Sequence, residues 1–182
     1  MLACVDVSYG EIDAVSGCIL FPEWTSDRGS ETLLVSTPIA APYRPGEFYL
    51  RELPPLIAVL ARVMVPLEAI LVDGYAWLGH EHPGLGARLF DALRGKTPII
   101  GIAKTKWAGD ASASWANDDS HRAIAVVRGL SIKPLHVTAV GTDVAVAAAN
   151  VQRMHGANRL PTLLKAVDRL VRDAAMVAFV KS

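Results

Sequence analysis

Two short runs of apolar residues, Ala69–Val72 and Pro98–Ala103, are continuous rather than alternating in polarity. Strands of this kind are buried on both faces, which is typical of parallel strands covered by helices on both sides. Leu50–Val63 carries apolar residues at helical spacing, and Gly84–Leu93 is a second predicted helix. These patterns predict an α/β fold in which helices flank a mixed sheet.

Strand and helix signals on either side of this centre complete the predicted order. Before it, three segments rich in Val, Ile, Leu and Thr follow one another at hairpin-like spacing and predict an antiparallel meander. These segments are Leu2–Tyr9, Gly17–Phe21 and Thr32–Thr37. After it, the patterns predict a closing hairpin and two terminal helices. They span Ala123–Val127, Leu135–Val140, Gly141–Gln152 and Leu160–Val180.

The composition narrows the class of protein. A length of 182 residues favours one domain over residues 1–182, and 52% hydrophobic residues exclude a disordered chain. The formal net charge of zero leaves nucleic acid open as a partner, because a local basic patch can bind it.

Cys4 and Cys18 lie in apolar segments, where buried thiols are expected, and this suits a reducing cytoplasm. No apolar run reaches the roughly 18–20 residues that a membrane span needs, so a soluble protein is expected.

Three carboxylates occupy positions that point to a specific role for the charged group. Asp6 interrupts an apolar strand, which is costly unless the group is paired or bound to a metal. Asp73 ends the apolar run Ala69–Val72, and ligands gather at the carboxyl ends of such strands. Glu52 begins a predicted helix. Carboxylates from three elements suit a hard cation such as Mg²⁺, which can polarise a phosphoryl oxygen.

Spacing alone leaves simpler readings open for these residues. Asp73 and Gly74 also suit a turn, and Glu52 suits a helix N-terminus because of the helix dipole. Lys104 follows the second buried strand, where it could neutralise phosphate charge or lie along the sheet edge with its ammonium in water.

Several short motifs follow one another along the chain. They are Val5-Asp6-Val7-Ser8-Tyr9, Pro42-Tyr43-Arg44-Pro45-Gly46, Arg51-Glu52, Leu71-Val72-Asp73-Gly74 and Gly101-Ile102-Ala103-Lys104. Together they resemble the ordered motifs of the endonuclease V family, with weaker similarity at Val140-Gly141 and Arg159-Leu160-Pro161. The resemblance implies an RNase H-like fold and an endonuclease that uses Mg²⁺ or Mn²⁺. It also implies cleavage of DNA or RNA near a deaminated adenine, that is, inosine, and hence a role in DNA repair.

The same resemblance implies individual roles. Asp6 and Asp73 would bind the metal directly, Glu52 would be the third acidic residue, and Lys104 would be the catalytic lysine. A wedge that props the strand open where a base has been flipped would consist of Pro42, Tyr43, Arg44 and Pro45. The pocket for the flipped base would be lined by Gly46, Phe48, Gly74, Ala76, Gly84, Gly101 and Trp107.

The chain departs from the family pattern at several positions. Ala76 stands where the family usually has Gly, which would tighten the pocket by one methyl group. Thr142 stands at the usual catalytic His, and the following Asp143 is either a fourth catalytic carboxylate or a first-turn helix acid. The chain also begins at the first strand and is short between Lys104 and Gly141, which predicts weaker duplex binding. A non-catalytic RNase H-like nucleic-acid binding protein, or one of altered specificity, is therefore the alternative function.

Overall fold

An antiparallel meander, a parallel centre and a closing hairpin form one sheet in the computed structural model, which describes residues 1–39, 48–79, 82–107 and 121–180. Within these residues the chain forms seven strands and four helices. The strands are β1 (Leu2–Tyr9), β2 (Asp13–Phe21), β3 (Glu31–Pro38), β4 (Ala69–Asp73), β5 (Ile99–Ala103), β6 (Ile124–Val126) and β7 (Leu135–Val140). The helices are α1 (Tyr49–Leu60), α2 (Leu85–Ala92), α3 (Val144–Arg153) and α4 (Thr162–Val180).

The strands are ordered β3-β2-β1-β4-β5-β7-β6 across the sheet. Strands β1, β2 and β3 form the predicted antiparallel meander. Strands β1, β4 and β5 run parallel to one another, and β7 and β6 close the sheet as an antiparallel hairpin. The predicted α/β class with a mixed sheet is therefore confirmed.

Helices cover both faces of the sheet, as the continuous apolar runs require. Side chains of α3 and α4 pack on the face that carries Cys4, Leu71 and Ile100. Side chains of α1 and α2 pack on the opposite face, which carries Cys18 and Ile70. Both cysteines are buried free thiols, as predicted. No helix in the described parts of the chain is long and apolar enough to cross a membrane.

Several element boundaries differ from the sequence prediction, and three of these differences have a local reason. Strand β2 begins at Asp13 rather than Gly17, because its first residues pair with both neighbouring strands. Helix α3 begins at Val144 rather than Gly141, because Gly141 has a φ of +79° and Asp143 caps the helix. Helix α4 begins at Thr162, directly after Pro161, which cannot donate a helical hydrogen bond.

Candidate active site

Asp6 and Asp73 lie at the same level on two neighbouring parallel strands, Asp6 within β1 and Asp73 as the last residue of β4. The pairing of β1 with β4 ends at Val5 and Val72, so the two aspartates are the next residues on each strand. Both line one cavity, together with Lys104, which directly follows β5. The structure therefore brings three predicted site residues together near the carboxyl ends of β4 and β5, where ligands bind in α/β sheets.

Lys104 and Asp73 form an ion pair across the ends of β5 and β4. The Lys104 Nζ atom lies 2.5 Å from Oδ2 of Asp73. Partial burial opposes the charged form of the lysine. The hydrogen bond to Asp73 and the charges of Asp73, Asp168 and Asp6 outweigh this effect and raise the pKa of Lys104. The ammonium is thus held in its charged form directly after the end of β5.

Asp6 is a largely buried carboxylate. Its Oδ1 atom accepts a hydrogen bond of 2.9 Å from the backbone N–H of Val7. Burial raises the pKa of Asp6 to about 6, with further contributions from the charges of Asp73 and Asp168, although Val7 and Lys104 act in the opposite direction. The hydrogen bond from Val7 and the charge of Lys104 therefore do not fully offset the cost of burying the Asp6 carboxylate in its charged form.

Glu52 faces the same acidic group from the first turn of α1 and is only 6% exposed. Burial, followed by the negative charges of Asp6 and Asp73, raises the pKa of Glu52 to about 8. The hydroxyl of Tyr9 donates a long hydrogen bond of 3.5 Å to its Oε1 atom. The guanidinium of Arg51 lies 4.1 Å from the centre of the Tyr9 ring, which fixes this side of the site.

Helix α4 contributes two charged residues that the sequence analysis did not identify. Lys165 and Asp168 line the same cavity as Asp6, Asp73 and Lys104. The charge of Asp168 contributes to the raised pKa of Asp6. Asp168 also forms an ordinary i,i+4 ion pair of 2.9 Å with Arg172, so local sequence gives no sign of its second role. The fourth acidic residue of the site is therefore Asp168.

Asp143, for which the sequence leaves open a fourth catalytic carboxylate or a first-turn helix acid, is the N-cap of α3 in the structure. Its side chain accepts hydrogen bonds from the backbone N–H groups of Ala145 and Val146, at 2.8 and 2.9 Å, and so caps α3. Strand β7 runs antiparallel to β5, and its last residue pairs with Ile99, the first residue of β5. Thr142 and Asp143 follow that strand end. They therefore lie at the edge of the sheet opposite Asp73.

The donor set suits a divalent metal ion, although the carboxylates are not arranged around one point. Within the described ranges, no three His, Cys, Asp or Glu side chains lie close enough to hold one ion. The Asp73 carboxylate instead accepts a hydrogen bond from the Lys104 ammonium. Carboxylate oxygens are the ligands that hard cations prefer. A cation would also offset the repulsion and burial that raise the pKa values of Asp6 and Glu52. In Asp73 the ion pair with Lys104 involves the Oδ2 atom.

Four of the small residues assigned to the base pocket meet where β4 and β5 end. A Cβ atom on Gly101 would lie 2.4 Å from the Ala76 nitrogen and 2.7 Å from the Gly74 oxygen. The Gly84 N–H donates a hydrogen bond of 2.9 Å to the Ala76 carbonyl. Ala76 itself is fully buried, and its N–H donates to the hydroxyl of Thr138 at 2.7 Å. Close backbone packing therefore accounts for Gly101 and Gly84.

The remaining predicted substrate residues are only partly described. Phe48 precedes α1 and is half-exposed. The backbone N–H of Trp107 donates a hydrogen bond of 3.0 Å to the Tyr75 hydroxyl, which itself donates to the Thr105 carbonyl at 3.0 Å. Trp107 is thereby tied to the segment that follows β4. The predicted wedge Pro42, Tyr43, Arg44 and Pro45, together with Gly46, lies outside the described residues.

A mixed sheet with acidic residues at the ends of its central parallel strands defines an RNase H-like protein. The sequence pattern of one family, described as Endonuclease V, matches residues 1–169. The chain belongs to the endonuclease V family. A relative from Streptomyces avermitilis named Endonuclease V is 31% identical over 188 residues, which cover 93% of this chain and 78% of the relative.

Solved structures of other endonuclease V proteins are similar in fold. A crystal structure of the endonuclease V from Bacillus subtilis has a TM-score of 0.79 at 20% identity, covering 100% of this chain and 83% of that chain. Endonuclease V from Ciona intestinalis, in complex with a 24mer DNA containing an inosine, also has a TM-score of 0.79 at 20% identity, covering 97% and 86%. The chain spans less than half the length of two other curated relatives, 45% and 46%.

Proposed function

We propose that this protein is a metal-dependent endonuclease that hydrolyses a phosphodiester bond in DNA or RNA near a deaminated base, inosine. The observation that carries the proposal is the convergence of Asp6, Glu52 and Asp73 with Lys104 in a member of the endonuclease V family. The inosine-containing DNA in the related Ciona intestinalis structure supports the choice of substrate.

Each residue of the site has a chemical task that its surroundings support. Asp6 and Asp73 would hold the cation, with Glu52 and Asp168 as further acidic groups around it. When bound, Mg²⁺ or Mn²⁺ would polarise a phosphoryl oxygen and lower the pKa of a water molecule.

Lys104, once separated from Asp73, would place its ammonium against the charge that develops on the phosphate. Glu52 is buried beside the charges of Asp6 and Asp73, so it would bind a second cation or orient the attacking water.

The deciding experiment is a nicking assay on end-labelled DNA and RNA strands that contain a single inosine. Matched strands with adenine in its place are the control. Each strand is incubated with Mg²⁺, Mn²⁺ or EDTA. We expect product only from inosine strands and only with a cation. Tight binding without product would instead support the non-catalytic alternative, and equal cleavage of adenine strands would refute inosine specificity.

We further propose that residues 1–182 act as one nuclease domain in the cytoplasm. Support comes from the single sheet that includes all seven described strands. The free, buried thiols of Cys4 and Cys18 suit a reducing compartment. Limited proteolysis of the intact chain would test the domain assignment, since a stable fragment of half the length would contradict it.

A further inference from the structure

Arg128 is a buried cation that binds the connection between α3 and α4. It is only 3% exposed and lies two residues beyond the end of β6. Its guanidinium donates hydrogen bonds to five backbone carbonyls. These belong to Gln152 at 3.3 Å, Asn158 and Arg159 at 3.2 Å each, Gly156 at 3.5 Å, and Met154. Carbonyls at and beyond the end of a helix have no helical partner, so one guanidinium satisfies several of them.

The residue after Arg128 brings the two backbones into direct contact. Gly129 has a φ of +58°, and a Cβ atom there would lie 2.1 Å from the Ala157 carbonyl oxygen. The turn after β6 and the segment 154–159 are therefore packed together as well as hydrogen-bonded. This fixes the backbone from which the Arg159 side chain extends.

Arg159 connects this segment to the candidate active site. Its Nη2 atom donates hydrogen bonds to the backbone carbonyl of Lys104 and, at 2.6 Å, to that of Pro134. Lys104 is consequently held at two points. Its carbonyl is bound by Arg159, and its ammonium is bound by Asp73.

We propose that Arg159 is a positioning residue for the nuclease reaction, and that Arg128 holds the segment from which it acts. Arg159 fixes the backbone of Lys104, so that the ammonium reaches Asp73 and the phosphate. It donates to backbone carbonyls and none of its hydrogen bonds is to a carboxylate of the site. This inference rests on the proposed function, because Lys104 needs accurate placement only if it acts on a substrate.

The first test compares Arg159→Met, Arg159→Lys and the control Arg169→Met, which removes an exposed arginine paired with Asp173 on α4. The assay measures kcat and KM for an inosine-containing strand with saturating Mg²⁺. A misplacement of about 1 Å can reduce a rate on the order of 10²-fold. We expect a loss of that order in kcat for Arg159→Met, with little change in KM, partial recovery in Arg159→Lys, and no change in Arg169→Met.

A double-mutant cycle separates positioning from a general loss of structure. In a Lys104→Ala background, Arg159→Met should reduce kcat little further, because the group that it positions is already absent. Full additivity of the two losses would overturn the proposal, as would a loss confined to KM.

A second readout does not depend on activity. Hydrogen exchange of the backbone over residues 99–107 should be faster in Arg159→Met than in the wild type, and unchanged in Arg169→Met. Faster exchange in a protein that never nicks would refute the proposed nuclease while retaining the contact between Arg159 and Lys104. Unchanged exchange in Arg159→Met would overturn the inference itself, whether or not the wild type is active.

Discussion

The Lys104 ammonium lies 2.5 Å from Oδ2 of Asp73, so two predicted catalytic groups already form an ion pair across neighbouring strand ends. Both side chains are more than a third exposed, at 41% and 38%. An exposed pair contributes little to stability and exchanges readily for other partners. This ion pair would therefore oppose the binding of a cation to Asp73 only weakly.

Asp73→Asn should remove nicking and leave the protein folded. The amide cannot supply the negative charge that holds a cation, and loss of comparable electrostatic groups costs roughly 10²–10³-fold in rate. The assay is cleavage of an inosine-containing strand at saturating Mg²⁺, with circular dichroism to check folding.

The matched control for this variant is Asp143→Asn. Asn caps helices as well as Asp does, and Asp143 lies at the opposite edge of the sheet. It should nick at the wild-type rate. Equal losses in the two variants would contradict the assigned location of the site.

Asp168→Asn should reduce nicking far more than Asp173→Asn, although both residues form i,i+4 ion pairs on α4. Only Asp168 lines the cavity with Asp6 and Asp73. Each exposed pair is worth about 0.3–0.5 kcal/mol, so the two variants should have similar free energies of unfolding. Single-turnover rates and urea denaturation measure the two effects. Indistinguishable rates would remove Asp168 from the site.

The metal-free protein should lose stability as the pH rises from about 4 to about 8. Burial and neighbouring charges raise the pKa of Glu52 to about 8 and that of Asp6 to about 6. Between the ordinary carboxyl pKa and these values, the folded state binds more protons than the unfolded state. The stabilisation from these bound protons is therefore complete at the acidic end of this range. It is lost as the pH rises past the folded-state pKa values of Asp6 and Glu52.

Urea denaturation between pH 5 and pH 9 in EDTA measures this slope, and Glu52→Gln should flatten most of it. Mg²⁺ should reverse the trend, because cation binding requires ionised carboxylates. Stability that rises with pH in EDTA would contradict the assigned environments of Asp6 and Glu52.

Gly101→Ala should destabilise the fold, by about 1–3 kcal/mol as for other overpacked sites. Its added methyl would meet the Ala76 nitrogen at 2.4 Å and the Gly74 oxygen at 2.7 Å, and backbone atoms cannot move aside cheaply. Gly10→Ala is the matched control, because the nearest atom to its Cβ is the Asp13 oxygen at 3.5 Å. Urea denaturation of both variants is the measurement, and equal stabilities would argue against the close packing of β4 and β5.

Local sequence patterns were sufficient to predict the elements of the fold and part of the candidate active site. Continuous apolar runs predicted β4 and β5 because a strand between two helical layers has no polar face. An aspartate inside such a strand indicated a special environment at Asp6, because burying a charge is costly. The order of short motifs then indicated that Glu52, Asp73 and Lys104 belong together, and the structure brings them to one edge of the sheet.

The sequence by itself determined the α/β class, the order of the elements and the carboxylates on β1, β4 and α1. Only the tertiary structure decided between Asp143 and Asp168. Both are ordinary helix residues in local sequence, one a cap and the other half of an i,i+4 pair. Their roles depend on which edge of the sheet each helix reaches. The antiparallel pairing of β7 with β5 and the packing of α4 on β1 set those positions, and both are long-range contacts that local periodicity does not record.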